Sequence, residues 1–246
     1  MSTDDTEQSP FTRPAFVSAA IVVGLVLVLG AVLAVHAMTT GKATASPPTT
    51  SASPPAATST PSPSTGTSEA SVCGLPGTVT TGTLSSAPAA AWAYEGTTAY
   101  PTSDTYGPGK TDASGVRYCF EHTPAGAVFA AANAAVQGSD PTVSANWVKY
   151  AIGEGPFRAQ VLAESGTASS SNPRMSIAGF RLLSYNGRTA EVDIAIRTAV
   201  GATTVTASGV YMLVWQGGDW KLSADVAKPL DVAPIPDLAG YVFWGA

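Results

Sequence analysis

The stretch from Ala15 to Met38, AFVSAAIVVGLVLVLGAVLAVHAM, limits what this chain can be more than any other part of it. It includes no Asp, Glu, Lys or Arg and a single histidine, His36. At about 1.5 Å of rise per residue, a helix of this length crosses a hydrocarbon core of about 30 Å with room to tilt. Two other fates compete. A core helix would not usually be followed by a tract unable to fold. A cleaved signal peptide could use Val35 and Ala37 as the small residues before the cut, but its apolar run would be only about 7–15 residues and its leader basic. Here the leader, residues 1–14, sets Asp4, Asp5 and Glu7 against Arg13. The expectation is a retained single-pass anchor at 15–38 behind a cytoplasmic tail at 1–14.

Thr39 to Ala70 reads as a disordered linker. Thr, Ser and Pro make up most of it. Such a composition buries too little apolar surface to repay chain ordering, and proline keeps the backbone extended. Stalks of this kind stand between a membrane and an exported domain. This favours placing everything after residue 38 outside the cell membrane, since Arg13 and Lys42 give the positive-inside rule little to act on.

The folded part is then 71–246, long enough for one sizeable core. It carries ten Lys or Arg against thirteen Asp or Glu, with no basic patch. Duplex binding needs Lys and Arg to displace counterions from phosphates, so direct nucleic-acid binding is not expected. With two cysteines, two histidines and no zinc-type spacing, no metal site and no cofactor are expected.

After Val72-Cys73-Gly74-Leu75-Pro76-Gly77 comes an irregular stretch containing Trp92, Tyr94, Tyr100 and Tyr106, with a turn at Gly107-Pro108-Gly109. Val116 to Phe120 reads as a short strand holding Cys119. A Cys73–Cys119 disulfide would staple the irregular stretch to that first ordered element. Two separate buried thiols are the alternative.

Three helices follow. Thr123 caps the first, with Pro124 at the first helical position, Gly138 beyond the end, and Val128, Phe129, Ala132, Ala135 and Val136 on one face. Asp140-Pro141 repeats the cap-and-proline signal for a second helix with Val143, Trp147 and Tyr150. Gly153 to Pro156 breaks the chain. Phe157 to Glu164 is the third helix, and Gly166 to Arg174 a polar loop.

The period then changes to two. Strands are expected at Ile177–Tyr185, Thr189–Val200, Thr203–Trp215 and Trp220–Val226, with turns at Asn186-Gly187 and Gln216 to Asp219. Along the second, Ala190, Val192, Ile194 and Ile196 share one face, and Glu191, Asp193 and Arg197 the other. That pattern predicts an antiparallel sheet covered on one side. The tail, ending in Tyr241-Val242-Phe243-Trp244, should pack back on the body. Helices followed by a meander make an α+β domain.

No catalytic residue stands out. Glu191 and Asp193 are expected on a solvated face, paired with Arg197 or Arg181. His122 precedes a helix cap, where a surface or capping role is ordinary. His36 is interfacial, and Gly153 to Arg158 is an inter-helix turn. The five tryptophans read as core and seam packing.

Four segments carry a resemblance: 72-VCGLPG-77, 117-RYCFEHTPAGAVFAAANA-134, 153-GEGPFR-158 and 214-VWQGGDWKL-222. They look like an uncharacterised membrane-protein family of actinobacterial integrative and conjugative elements. The anchor, stalk, helices and meander also resemble the TcpC-like scaffold proteins of type IV secretion. The resemblance implies a nuclear-transport-factor-like cone, about three helices against a curved four-stranded antiparallel sheet. It also implies a non-enzymatic scaffold whose partners are other membrane subunits of a transfer channel and copies of itself. TcpC-like proteins often carry two such domains in tandem, and this chain has room for one. A cell-envelope ligand-binding or interaction module is the alternative, and a small-molecule enzyme of the same fold a further one.

Overall fold

A computed structural model describes residues 70–165, 175–200 and 203–246, all within the unit Ser64–Ala246. The expected tail, anchor, nearly all of the linker and the polar loop 166–174 lie outside the described residues. No helix among the described residues is long and apolar enough to cross a membrane.

The stretch expected to be irregular contains a hairpin, β1 (Ala91–Glu95) with β2 (Thr98–Thr102), in register from Ala91↔Thr102 to Glu95↔Thr98. A second, two-residue pair joins β3 (Lys110–Thr111) to β4 (Arg117–Tyr118). The strand expected over Val116–Phe120 is cut short because Cys119 takes a φ of 67°. That left-handed conformation turns the backbone out of the extended form that a strand needs.

Helix α1 (Pro124–Ser139) starts as its sequence dictates: Thr123 Oγ1 accepts the Gly126 N–H at 3.1 Å, and Pro124 occupies the first turn. It is buried on every side from Pro124 to Gln137. Seven alanines in that span permit this, because small side chains let the sheet, the hairpin and the next helix approach closely. Gly138 lies inside the helix rather than beyond it. A Cβ there would stand 3.1 Å from the Trp147 ring, so the glycine makes room for α2 (Ser144–Ala151). Asp140 does not cap α2. It is the C-cap residue of α1. Its carboxylate accepts the Thr142 N–H at 2.8 Å and the Thr142 Oγ1–H at 2.7 Å. This side-chain turn delays the helix to Ser144. Helix α3 (Arg158–Glu164) follows.

The main sheet is antiparallel and has six strands rather than four. It comprises β5 (Met175–Tyr185), β6 (Thr189–Val200), β7 (Thr203–Gln216), β8 (Asp219–Leu222), β9 (Leu230–Pro234) and β10 (Val242–Phe243). The two extra strands come from the tail. β10 adds to β5, and β9 shares the outer edge of β7 with β8. β8 pairs with Leu213–Gln216 and β9 with Ala207–Tyr211. The strand expected over Trp220–Val226 ends at Leu222 because its backbone turns to the helices: the Leu222 and Ala224 carbonyls accept the N–H groups of Gly153 and Phe157. Register shifts at Ile177/Gly179 and Leu182/Ser184 mark bulges in β5, where a strand bends and twists.

Phe129, Phe180, Val192, Ile194, Leu213 and Trp244 lie in the main core between α1 and the sheet. The opposite face of the sheet is not uniformly solvated, as the alternation had suggested. Ala195 and Asp193 are fully buried there because the tail lays Leu238 and Tyr241 across them.

Candidate functional site

The four segments that carry the resemblance converge on one junction. Cys73 is bonded to Cys119, and the Val72 N–H donates to the Gly218 carbonyl at 2.9 Å. Gly218, at φ 77°, turns β7 into β8, and a Cβ there would collide with the Ala70 carbonyl. Only glycine admits both the turn and the strap crossing it. On the other side, the Glu154 N–H donates to Gln216 Oε1 at 2.6 Å, and Arg158 Nη1 donates to the Gly153 carbonyl at 3.0 Å, closing the end of α2.

Asp219 is the centre of this junction and was missed at the level of sequence, where it read as the last residue of a turn. Its carboxylate is almost completely buried. Oδ2 accepts the Cys119 N–H at 2.9 Å and the Tyr150 O–H at 2.8 Å; Oδ1 accepts the N–H groups of Phe120 at 2.8 Å and Trp220 at 2.9 Å. A carboxylate offers about four lone-pair sites, so all are occupied. Burial pushes its pKa up while the backbone donors and Lys221 pull it down, and the upward push prevails. With no acceptor site left, Asp219 is a crosslink rather than a general base.

The surrounding side chains are similarly committed. The Tyr150 hydroxyl has its pKa raised by burial and by the Asp219 charge. Lys221 places its ammonium 2.9 Å from the Tyr150 ring centroid, and burial lowers its pKa to about 8. His122 is not a surface residue. It is buried, stacks on Trp215 at 3.9 Å between centroids, and contacts the Gly187 carbonyl through Nε2. Trp220 Nε1 donates to the Glu121 carbonyl at 3.0 Å. Arg117 donates to Asn133 Oδ1 at 3.1 Å and Glu95 Oε2 at 2.8 Å and stacks on Tyr100, tying the β1–β2 hairpin to α1. Beside the junction lies a void of only about 20 Å³. It has room for a water molecule and nothing larger.

Glu191 and Asp193 part company. Glu191 is half-buried, whereas Asp193 is fully buried and pairs with Arg181, the second of the two arginines considered. Its Oδ1 accepts Ser208 Oγ–H at 2.6 Å and its Oδ2 accepts the Tyr241 O–H at 2.7 Å. This network pins the tail to β6 and β7.

A cleft beneath the helices lies elsewhere. It has a volume of about 440 Å³, is open to solvent on one side, and is bordered by α1, α2, α3, β6, β7 and the β8–β9 connection. Its walls include Ala135, Trp147, Val161, Tyr211, Leu230 and Val232. Burial raises the pKa of the Tyr211 phenol. Among the described residues, no three His, Cys, Asp or Glu side chains are grouped to hold a metal. His36 lies outside the described residues.

A family model described as a domain of unknown function, DUF8175, matches residues 50–243. Searches of curated proteins and of solved structures found no match. The matched range contains all four converging segments and most of the sequence, and the chain therefore belongs to the DUF8175 family.

Proposed function

We propose that this chain is a non-enzymatic, membrane-anchored scaffold component of a conjugative, type IV secretion-like transfer apparatus. Residues 15–38 hold it in the cell membrane as a single pass. The α+β domain stands outside as a nuclear-transport-factor-like cone, and the partners are other membrane subunits of the channel and further copies of the chain. Nucleic acid is not contacted directly. The observation that supports this reading is the junction itself. The four segments resembling the conjugative-element family meet in one joint, where Asp219 and the Cys73–Cys119 bridge are spent on crosslinks. Residues committed in this way build a rigid body, which a subunit of an assembly needs and a catalyst does not require at that place.

The test is crosslinking in intact membranes of the native host, followed by purification and mass spectrometry. Recovery of other channel subunits together with a transport ATPase is the expected result, followed by loss of mating in a deletion strain. Recovery of envelope enzymes or polymers with no channel component would overturn the proposal.

The second reading is a cell-envelope ligand-binding module. The cavity of about 440 Å³ favours it. Small-molecule sites have volumes of roughly 300–1000 Å³ and are mostly apolar.

A further inference from the structure

The chain is covalently fixed to the body almost as soon as it enters the described domain. Cys73 follows Ala70 by three residues, and its bridge reaches Cys119, just ahead of the fully packed helix α1. Other contacts crowd round the bridge. Ser71 Oγ lies 3.2 Å from Cys119 Sγ, the Val72 N–H donates to the Gly218 carbonyl, and the Asp219 carboxylate accepts the N–H groups of Cys119 and Phe120. The segment that follows Cys73 is poorly held by comparison. No residue from 74 to 90 is fully buried, and Leu84 and Ala90 reach the core only half-buried. Its hydrogen bonds to the body run from the Val79 N–H to the His122 carbonyl at 2.9 Å, from the Tyr185 O–H to the Val79 carbonyl at 2.5 Å, and from Trp244 Nε1 to the Pro88 carbonyl at 3.1 Å. Full burial resumes only in the hairpin, at Thr98, Ala99 and Pro101.

We propose that the Cys73–Cys119 bridge and the Asp219 carboxylate form a load-bearing clamp. Tension arriving along the stalk passes from Cys73 straight to Cys119, which Asp219 ties to β8, and residues 74–118 stay out of the loaded path. A covalent bond holds at forces that break hydrogen bonds one after another. Without the bridge, the same tension runs along residues 74–90, where few buried contacts oppose local opening. At about 3.3–3.6 Å per residue, that segment lengthens by up to about 60 Å once freed. The clamp therefore keeps the span between membrane and domain equal to that of the stalk. That the stalk is under tension rests on the anchored-scaffold reading. The clamp itself can be measured without a membrane.

The experiment is single-molecule force spectroscopy of the full chain in detergent. One handle is placed at Met1 and the other on Arg197→p-azidophenylalanine, which adds no thiol. Arg197 is exposed on β6 inside the sheet, so the strands of the tail lie outside the pulled path. The wild type is expected to lengthen only through residues 1–70 until the body itself unfolds. Cys73→Ser with Cys119→Ser should gain an earlier step of up to about 60 Å at lower force. Wild-type molecules held under load while dithiothreitol is added should gain the same step. Reducing molecules that are already folded separates loss of the clamp from a failure of the variant to fold. Asp219→Asn, with the bridge intact, should lower the force at which the body opens. Absence of the early step from both bridge-free forms, its presence in the oxidised wild type, or an unchanged opening force in Asp219→Asn would overturn the clamp. A chain found unanchored in native membranes would instead overturn the scaffold reading and leave the clamp standing.

Discussion

The Asp219 carboxylate accepts the Cys119 backbone N–H at 2.9 Å, although the two residues are 100 positions apart. Cys119 stands at φ 67° and also bears the disulfide. A residue with a Cβ is strained at such an angle. The carboxylate thus holds in place a backbone geometry that the local sequence would not choose, and through it the strap at 70–73.

Replacing this carboxylate should be expensive. Asp219→Ala leaves the N–H groups of Cys119, Phe120 and Trp220 and the Tyr150 hydroxyl without their acceptor. A loss of about 3–5 kcal/mol is expected, as for removing one partner from a buried charged network. Asp219→Asn should cost less, since one of its two heads still accepts. Urea unfolding followed by tryptophan fluorescence reads both, and equal stability of all three proteins would refute the crosslink.

The disulfide closes a loop between positions 46 apart. Chain entropy assigns such a closure about 4 kcal/mol. Cys73→Ser with Cys119→Ser should therefore lower stability by up to that amount. Amide exchange should rise first at residues 70–75 beside the bridge, and later at Val79, whose N–H still donates to the His122 carbonyl at 2.9 Å.

Lys221 gives a pH signature. Burial lowers its folded pKa from 10.5 to about 8, whereas the unfolded chain keeps the ordinary value. Between those values the unfolded state binds the extra proton, so stability rises with pH from about 8 until tyrosine ionisation intervenes near 10. Below pH 8 the lysine is charged in both states and its contribution is flat. Thermal melts at pH 7, 8, 9 and 9.5 should show Tm climbing above 8 in the wild type, with Lys221→Met losing that climb.

On the opposite face, Asp193→Ala should cost about 3 kcal/mol, because Arg181, Ser208 and Tyr241 all lose their acceptor. Arg181→Met should cost less. The arginine side chain is 39% exposed. Water therefore replaces much of what it loses. Limited proteolysis should show the tail released in Asp193→Ala before the sheet opens, and simultaneous release would argue that the tail is not a separable unit.

Elements whose signal is local were legible. Thr123-Pro124 starts α1 because cap and ring act within one turn, and the β6 span from Thr189 to Val200 follows directly from alternation. The β1–β2 hairpin was not legible, because Gly96-Thr97 is a weak turn signal and Pro101 argues against a strand. The strands of the tail were missed for a different reason. Leu230–Pro234 has four exposed residues and no alternation, and pairs only because β8 stops short and leaves half of the β7 edge open. For the candidate sites, the cysteines could be paired from their positions, but Asp219 read as a turn residue and His122 and Asp193 as surface residues. A carboxylate or imidazole is assigned to the surface by type, and only its neighbours can overrule that.

By itself the sequence determined the order of parts: an apolar stretch at 15–38, a Ser/Thr/Pro tract, helices, then a meander. Each of these follows from composition or from the helical or strand period of the side chains, properties a chain carries before it folds. Tertiary structure alone decided which polar residues are buried and how the tail completes the sheet. Those outcomes depend on contacts between residues 100 and more positions apart, and such contacts leave no periodic trace along the chain.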